Sequence, residues 1–177
     1  MKTIRTIAAC ALLISASASF AHETAPHGAG HAAPPAAAVQ QAWGIAAPPR
    51  VAQRTVTVRM TDAMRFEPSQ IEVREGETLR LRVENTGQVM HEMVLGTAQS
   101  LAGHAAMMRQ HPGMPHSEAY LAHVAPGRSG DISWTFNRPG RFEFACLVAG
   151  HFEAGMTGTL TVMPAHPSST PHERKSL

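Results

Sequence analysis

The central part of the chain consists of short runs in which apolar and polar residues alternate. Val56, Val58 and Met60 form the first run, with polar side chains between them. This period of two is that of a half-buried β-strand, and glycine and asparagine residues between the runs predict turns. Many short strands separated by turns favour an all-β sandwich. Strands are predicted around residues 56–60, 71–73, 79–83, 89–95, 131–136, 141–146 and 159–163.

Residues 97–123 interrupt this alternation. Apolar residues and histidines recur there at the spacing of three and four that is typical of a helix, until Pro112 stops the pattern. We therefore predict an insertion that contains one short helix. The positions that carry the helical spacing are Leu101, His104, Ala105, Met108 and His111.

The first 21 residues follow the order of a secretory signal. Lys2 and Arg5 precede an apolar run over residues 7–14, and small residues then lead to Ala21. We expect cleavage near Ala21 and export to the periplasm. The run is shorter than the roughly 20 residues that a membrane-spanning helix needs, so no membrane span is predicted. Lipid attachment at Cys10 is a competing interpretation, but the apolar run continues past that cysteine.

Two low-complexity segments flank the predicted sandwich. Residues 22–50 are rich in alanine, proline and glycine and contain too few large apolar side chains to offset the entropy cost of ordering. We predict a flexible arm there, one domain over residues 51–163, and a disordered tail over residues 164–177, which is polar and rich in proline. A chain of 177 residues with 44% apolar residues is long enough for one such core.

Charge and cysteine content narrow the function. The whole chain has 15 Lys and Arg against 13 Asp and Glu, and loss of Lys2 and Arg5 with the signal would make the numbers equal. Such a balance gives no basic footprint for nucleic acid. Cys146 would then be the single cysteine of an exported protein, in a compartment where cysteines normally pair. An unpaired thiol in that setting indicates a specific chemical use.

Cys146 begins a segment with metal-ligand chemistry. His151 and Met156 follow it at intervals of five residues, just before the last predicted strand. A copper ion that alternates between Cu(I) and Cu(II) is well served by two imidazoles, a thiolate and a weak axial thioether. His91, on a strand after the turn at residues 85–87, is the natural second imidazole. Zinc also suits two histidines and a cysteine, but it gains little from a thioether.

Three sequence segments carry a family resemblance. They are Phe66-Glu-Pro-Ser-Gln-Ile-Glu-Val-Arg-Glu-Gly, then Val83-Glu-Asn-Thr-Gly with His91 after it, and then Phe142-Glu-Phe-Ala-Cys with His151 and Met156 after it. Over about residues 52–163 the chain resembles the cupredoxin family. The resemblance implies a Greek-key β-sandwich that holds one type 1 copper ion. It also implies His91, Cys146 and His151 as ligands, with Met156 as the axial ligand.

The predicted helix carries a second group of potential copper ligands. Thioethers select Cu(I), so the insertion could bind copper beyond the type 1 site. The alternative is that the methionines pack the helix onto the sandwich while the histidines face water. The candidates lie on one helix face and in the turn after it, and they are His104, Met107, Met108, His111, Met114 and His116. Together with the signal and the histidine-rich arm, this insertion resembles the periplasmic cupredoxins of bacterial copper-tolerance systems.

These features lead to two functional hypotheses. The first is a periplasmic type 1 copper protein that takes part in copper tolerance by binding copper, with enzymatic oxidation of Cu(I) as a further hypothesis. The second is a small mobile electron carrier between periplasmic redox partners, which would need only the type 1 ion. A copper nitrite reductase or multicopper oxidase is disfavoured because the chain lacks paired His-x-His motifs.

Overall fold

Ten β-strands and one α-helix make up the part of the chain that the computed structural model describes, residues 38–112, 114 and 117–165. The helix α1 spans Ala98–Gln110 and a 3-10 turn spans Pro49–Val51. The predicted signal, most of the predicted arm and most of the predicted tail lie outside these residues. The strands are β1 (Ile45–Ala46), β2 (Arg54–Thr61), β3 (Arg65–Glu67), β4 (Gln70–Arg74), β5 (Glu77–Asn85), β6 (His91–Gly96), β7 (Leu121–Val124), β8 (Ser129–Phe136), β9 (Gly140–Ala145) and β10 (Thr157–Met163).

The strands form two five-stranded sheets. The first has the order β1-β8-β5-β2-β3 and the second the order β4-β10-β9-β6-β7. Most neighbours are antiparallel, but β2 runs parallel to β5 and β4 runs parallel to β10. The chain enters the second sheet at β4 and returns to the first at β5. Such crossings make the two sheets the two layers of one core, which confirms the predicted all-β sandwich.

Alternation along the strands decides which side chains enter the core. In β5, Leu79, Leu81 and Val83 are fully buried and belong to the core cluster, whereas Arg80 points to the other side of the sheet. The Arg80 guanidinium donates two hydrogen bonds of 2.9 and 2.8 Å to the Asp131 carboxylate on the neighbouring strand β8. The sequence pattern of this strand therefore predicted both its type and its orientation.

The helix α1 packs on the outer face of the second sheet. Thr97 caps its first turn by accepting a hydrogen bond from the Ser100 amide. Leu101, Ala105 and Met108 form its buried side, and they join a cluster with Val94 and Ala145 of the sheet and Leu147 of the loop after β9. No helix in the part of the chain described here is long and apolar enough to cross a bilayer. The predicted helical insertion is confirmed.

The folded domain begins earlier in the chain than the sequence predicts. Residues 22–50 are expected to form a flexible arm, but Trp43 is buried and Ile45–Ala46 pairs with β8 as strand β1. The Trp43 ring lies 6.5 Å from the Trp134 ring and 5.3 Å from the Tyr120 ring, measured between centroids. A single large aromatic side chain buries enough apolar surface to hold this stretch, and the average composition of residues 22–50 does not reveal it. The arm prediction is wrong for this stretch.

Two further boundaries differ from the prediction. The predicted insertion extends to residue 123, yet Leu121–Val124 is the regular strand β7, paired with β6. Four residues are too few for a period-two pattern to stand out. The strand predicted at 89–95 begins only at His91, because the amides of Gln88 and Val89 point to the Asp62 carboxylate instead of joining a ladder.

Candidate metal centre

Cys146 and Met156 mark the two ends of the loop between β9 and β10. These strands are antiparallel neighbours, so the ends of the loop meet, and the Cys146 amide donates to the Met156 carbonyl at 3.0 Å. The Met156 amide donates to the His151 carbonyl, also at 3.0 Å. Gly150 and Gly155 adopt φ values of 89° and 83°, a region that glycine enters without the penalty of a side chain. The loop therefore holds three predicted ligands in a fixed frame.

His91 reaches the same place from a neighbouring strand. β6 is antiparallel to β9, and the pairing of Val94 with Ala145 places the start of β6 beside the end of β9. The ligand atoms of His91, Cys146 and His151 all lie within 4.8 Å of one another. Cys146 Sγ is 3.3 Å from His151 Nδ1, and the two imidazole centroids are 4.9 Å apart. The structure thus brings two imidazoles and a thiol together.

The two ring nitrogens of His91 have different surroundings. Nε2 lies 3.1 Å from Oδ1 of Asp62, whereas Nδ1 is buried and has no hydrogen-bond partner among the described residues. A buried nitrogen without a partner is costly unless a metal ion uses its lone pair. The carboxylate selects the tautomer that carries its proton on Nε2, which leaves the Nδ1 lone pair for a metal. The residues present therefore fit a copper ion.

Asp62 is held by the turn that leads into β6. Its Oδ2 accepts a hydrogen bond of 2.7 Å from the Gln88 amide. This bond is the main reason that the pKa of Asp62 is lowered, and the hydrogen bond with His91 lowers it further. Gly87 is required beside it, because a Cβ there would come within 1.9 Å of Asp62 Oδ1. Sequence reasoning missed Asp62, which lies 29 residues from the histidine that it orients.

Burial controls the protonation of the metal-free site. Desolvation raises the pKa of the Cys146 thiol to about 12. Desolvation also lowers the pKa of His151, and the neighbouring His91 lowers it further. At neutral pH the metal-free centre accordingly holds a protonated thiol and a neutral His151 imidazole. A cation that binds there must displace the thiol proton.

Comparison with known proteins decides the family. Residues 52–163 match the family of copper binding proteins described as the plastocyanin/azurin family. The chain belongs to this family. The predicted resemblance to cupredoxins is confirmed, and copper is the cofactor of this cupredoxin.

Curated relatives and solved structures agree with this assignment. The chain is 44% identical to the copper-resistant cuproprotein CopI of Rubrivivax gelatinosus, over 91% of this chain and 98% of the relative. It is 37% identical to the copper-resistant cuproprotein CopI of Pseudomonas aeruginosa, over 70% of this chain and 84% of the relative. The structure of auracyanin B superimposes with a TM-score of 0.57 at 25% identity, covering 68% of this chain and 96% of that one.

The second group of predicted ligands is only partly brought together in this cupredoxin. His104, Met107 and Met114 line one cleft of about 530 Å³, together with Trp43 and Tyr120. Met107 and Met114 are 42% and 37% exposed, unlike the methionines of the core.

The other three predicted positions of the insertion differ from one another. Met108 is only 7% exposed and packs in the cluster between α1 and the sheet. For this residue the burial favours the alternative that the methionine packs the helix onto the sandwich. His111 is exposed at the end of α1 and is not among the residues that line the cleft. His116 lies outside the described residues.

A second acidic residue adjoins the centre of this cupredoxin. Glu92 follows His91 in the chain, and its backbone amide donates to Cys146 Sγ at 3.4 Å. Its carboxylate is buried rather than exposed to solvent. The available signal in the sequence was a single charge in the strand His-Glu-Met-Val-Leu-Gly, which is otherwise mostly apolar. Sequence reasoning did not use that signal.

Proposed function

We propose that this cupredoxin binds one type 1 copper ion through His91, Cys146, His151 and Met156 and takes part in copper tolerance in the periplasm. The observation that carries the ligand assignment is the buried Nδ1 of His91, which lacks a partner in the described part and lies near Cys146 and His151. Met156 is proposed as the axial ligand because it is fully buried in the core cluster that contains Cys146. A copper ion held there supplies a one-electron redox couple.

A role in copper tolerance is supported by the second group of soft ligands. His104, Met107 and Met114 line a single cleft, and thioether sulfur favours Cu(I). Both curated relatives are named copper-resistant cuproproteins. We therefore propose the cleft as a place where further copper binds. Met108 is left out of this site because its side chain packs in the core.

Oxidation of Cu(I) is the enzymatic part of the proposal. Cu(I) would be the substrate and would lose one electron to become Cu(II). A copper ion held by His91, Cys146 and His151 would supply the one-electron couple, and an external one-electron acceptor would take up the electron. The test is anaerobic addition of Cu(I) to the oxidised, copper-loaded protein while the thiolate absorption is recorded. Bleaching is expected, and recovery should follow addition of ferricyanide as the acceptor. Colour that persists after Cu(I) addition contradicts electron entry from Cu(I).

Copper stoichiometry tests the tolerance role directly. Metal-free protein is titrated with Cu(I), and bound ions are counted for wild type and for the variant His104→Ala/Met107→Ala/Met114→Ala. The variant should lose the additional copper and keep the coloured ion. A matched control is Met163→Ala, which removes an exposed methionine of β10 that does not line the cleft. Wild type that binds a single copper, or a control that loses as much as the variant, contradicts the proposal.

Export is proposed on the sequence of the first 21 residues. Cell fractionation should recover the protein in the periplasm, and mass spectrometry should place its mature N-terminus near His22. A chain that is recovered in the cytoplasm with residues 1–21 intact would contradict the proposal.

One observation favours a second function, mobile electron transfer. Val89 and Met90, which directly precede His91, are exposed by 44% and 45%. Apolar side chains beside a copper ligand offer a surface on which a redox partner can dock. Under this alternative, the triple variant of the cleft reduces a periplasmic partner as fast as wild type, whereas Val89→Asp slows the reaction. Equal rates for wild type and Val89→Asp would count against it.

A further inference from the structure

Glu92 is a buried carboxylate in a strand that lies against the metal centre. Glu92 is only 1% exposed. It is charged, whereas all of the residues that follow it in β6 are apolar or glycine. Residues two apart in a strand share a face, so Glu92 lies on the same face as Val94, which packs against α1. An isolated carboxylate is too costly to bury, so its contacts must compensate.

The first contact joins Glu92 to the ligand loop. Oε1 accepts a hydrogen bond of 2.9 Å from the amide of Leu147, the residue that follows Cys146. The backbone amide of Glu92 donates to Cys146 Sγ at 3.4 Å. Glu92 therefore contacts the Cys146 thiol directly, and it also holds the peptide that follows Cys146.

The second contact extends toward solvent. Oε2 lies 2.8 Å from Nδ1 of His123, which is the residue opposite Glu92 in the pairing of β6 with β7. The His123 side chain is 41% exposed, so it links the buried carboxylate to the surface. Both carboxylate oxygens therefore have a hydrogen-bonding partner within the protein, one on the ligand loop and one on β7.

We propose that Glu92 is a positioning residue that sets the reduction potential of the copper centre, with His123 moderating its charge. A fixed negative charge in a poorly solvated site favours Cu(II) over Cu(I), because the oxidised centre carries one more positive charge. The donor on His123 draws part of that charge away from the thiolate. This inference rests on the proposed type 1 copper site and is independent of the second copper site in the cleft.

The test begins with Glu92→Gln, which keeps the shape and an acceptor for the Leu147 amide but removes the charge. The reduction potential should rise, so that the ratio of Cu(I) to Cu(II) at the wild-type midpoint increases about tenfold, or about 59 mV for a one-electron couple. The thiolate absorption should also shift. The control is Glu72→Gln, which removes an exposed carboxylate of β4. The proposal is overturned if Glu92→Gln changes the reduction potential by no more than Glu72→Gln does.

His123→Ala provides a prediction of opposite sign. Loss of the donor leaves the Glu92 charge less compensated, so the potential should fall, while in the Glu92→Gln background the same change should have little effect. A general loosening of the site would not give opposite shifts. If Glu92→Gln fails to fold or to bind copper, the proposal is tested with His123→Ala alone. An unchanged or raised reduction potential in that variant overturns the proposal. In metal-free protein, faster hydrogen exchange of the Leu147 amide in Glu92→Ala checks the loop contact separately.

Discussion

The ring of His91 is fixed at one nitrogen by Asp62, and the other nitrogen is left for metal. Carboxylates that orient a ligand histidine contribute about 10–100-fold to metal affinity in other metalloproteins. We expect Asp62→Ala to weaken copper binding by about that factor, because the ring loses its preferred tautomer and orientation. Competition with a chelator of known affinity measures the effect.

Asp131→Ala is the matched control for this change. Its carboxylate is also partly exposed and hydrogen-bonded, but its partner is Arg80 on the first sheet. Copper affinity should stay at the wild-type value in the control. If both variants bind copper as wild type does, Asp62 does not orient the ligand.

Protons should leave the site when copper enters. Because burial raises the pKa of Cys146 to about 12, the thiol is protonated in metal-free protein throughout the range from pH 7 to 9. His151 has a lowered pKa and is already neutral there, so it has no proton to release. Copper binding should release one thiol proton, and affinity should fall about tenfold for each unit that the pH is lowered. Indicator-dye titrations measure the release, and a value near zero contradicts this account.

The ligands could be predicted from the sequence because three of them lie in one short loop. Cys146, His151 and Met156 are spaced evenly in the chain, and their chemistry is distinctive. Asp62 and Glu92 act through partners 29 and 55 residues away. The charge of Glu92 in an apolar strand marks that residue as unusual, but the partners of Asp62 and Glu92 depend on how the strands pair and pack, which the sequence does not show.

At the level of elements, the two faces of α1 differ, since one packs on the sheet and the other carries the candidate copper ligands. Met107 and Met108 are adjacent in the chain, yet Met107 is exposed and Met108 is buried. Met108→Ala should lower the free energy of unfolding by about 2–5 kcal/mol, as large-to-small changes in cores do, whereas Met107→Ala should change it by less than about 0.5 kcal/mol. Denaturant unfolding of the metal-free variants measures both. Equal losses would mean that α1 does not pack as described.

The predictability of each element follows from its length and pattern. β5 and β8 are long and alternate regularly, so they were predicted correctly, and α1 was recognised by its different period. β1 contains only Ile45 and Ala46, and its existence depends on pairing with β8, far along the chain. A strand of two residues carries no periodicity, so only the folded sheet reveals it.

On the scale of the whole molecule, the N-terminal stretch from Gln40 to Ala47 is part of the sandwich. Trp43 contacts aromatic rings on β8 and next to β7, so Trp43→Ala should cost about 3–5 kcal/mol of stability. Val39→Ala is the control, since Val39 is 69% exposed, and it should have little effect. Thermal unfolding compares the two variants. A Trp43→Ala protein as stable as the control would mean that this stretch does not stabilise the domain.

The hydrogen bond between Asp62 and His91 has a consequence for the rate at which the metal ion exchanges. Asp62 follows β2 of the first sheet, while His91 opens β6 of the second, so this contact spans the two layers. The binding geometry is therefore preorganised by folding, and the entropy of arranging the ligands is lost before any metal arrives. A site of this kind imposes its shape on whichever cation enters it. We therefore expect the residence time of the metal to follow the local opening of the loop over residues 147–156, which hydrogen exchange of its amides measures.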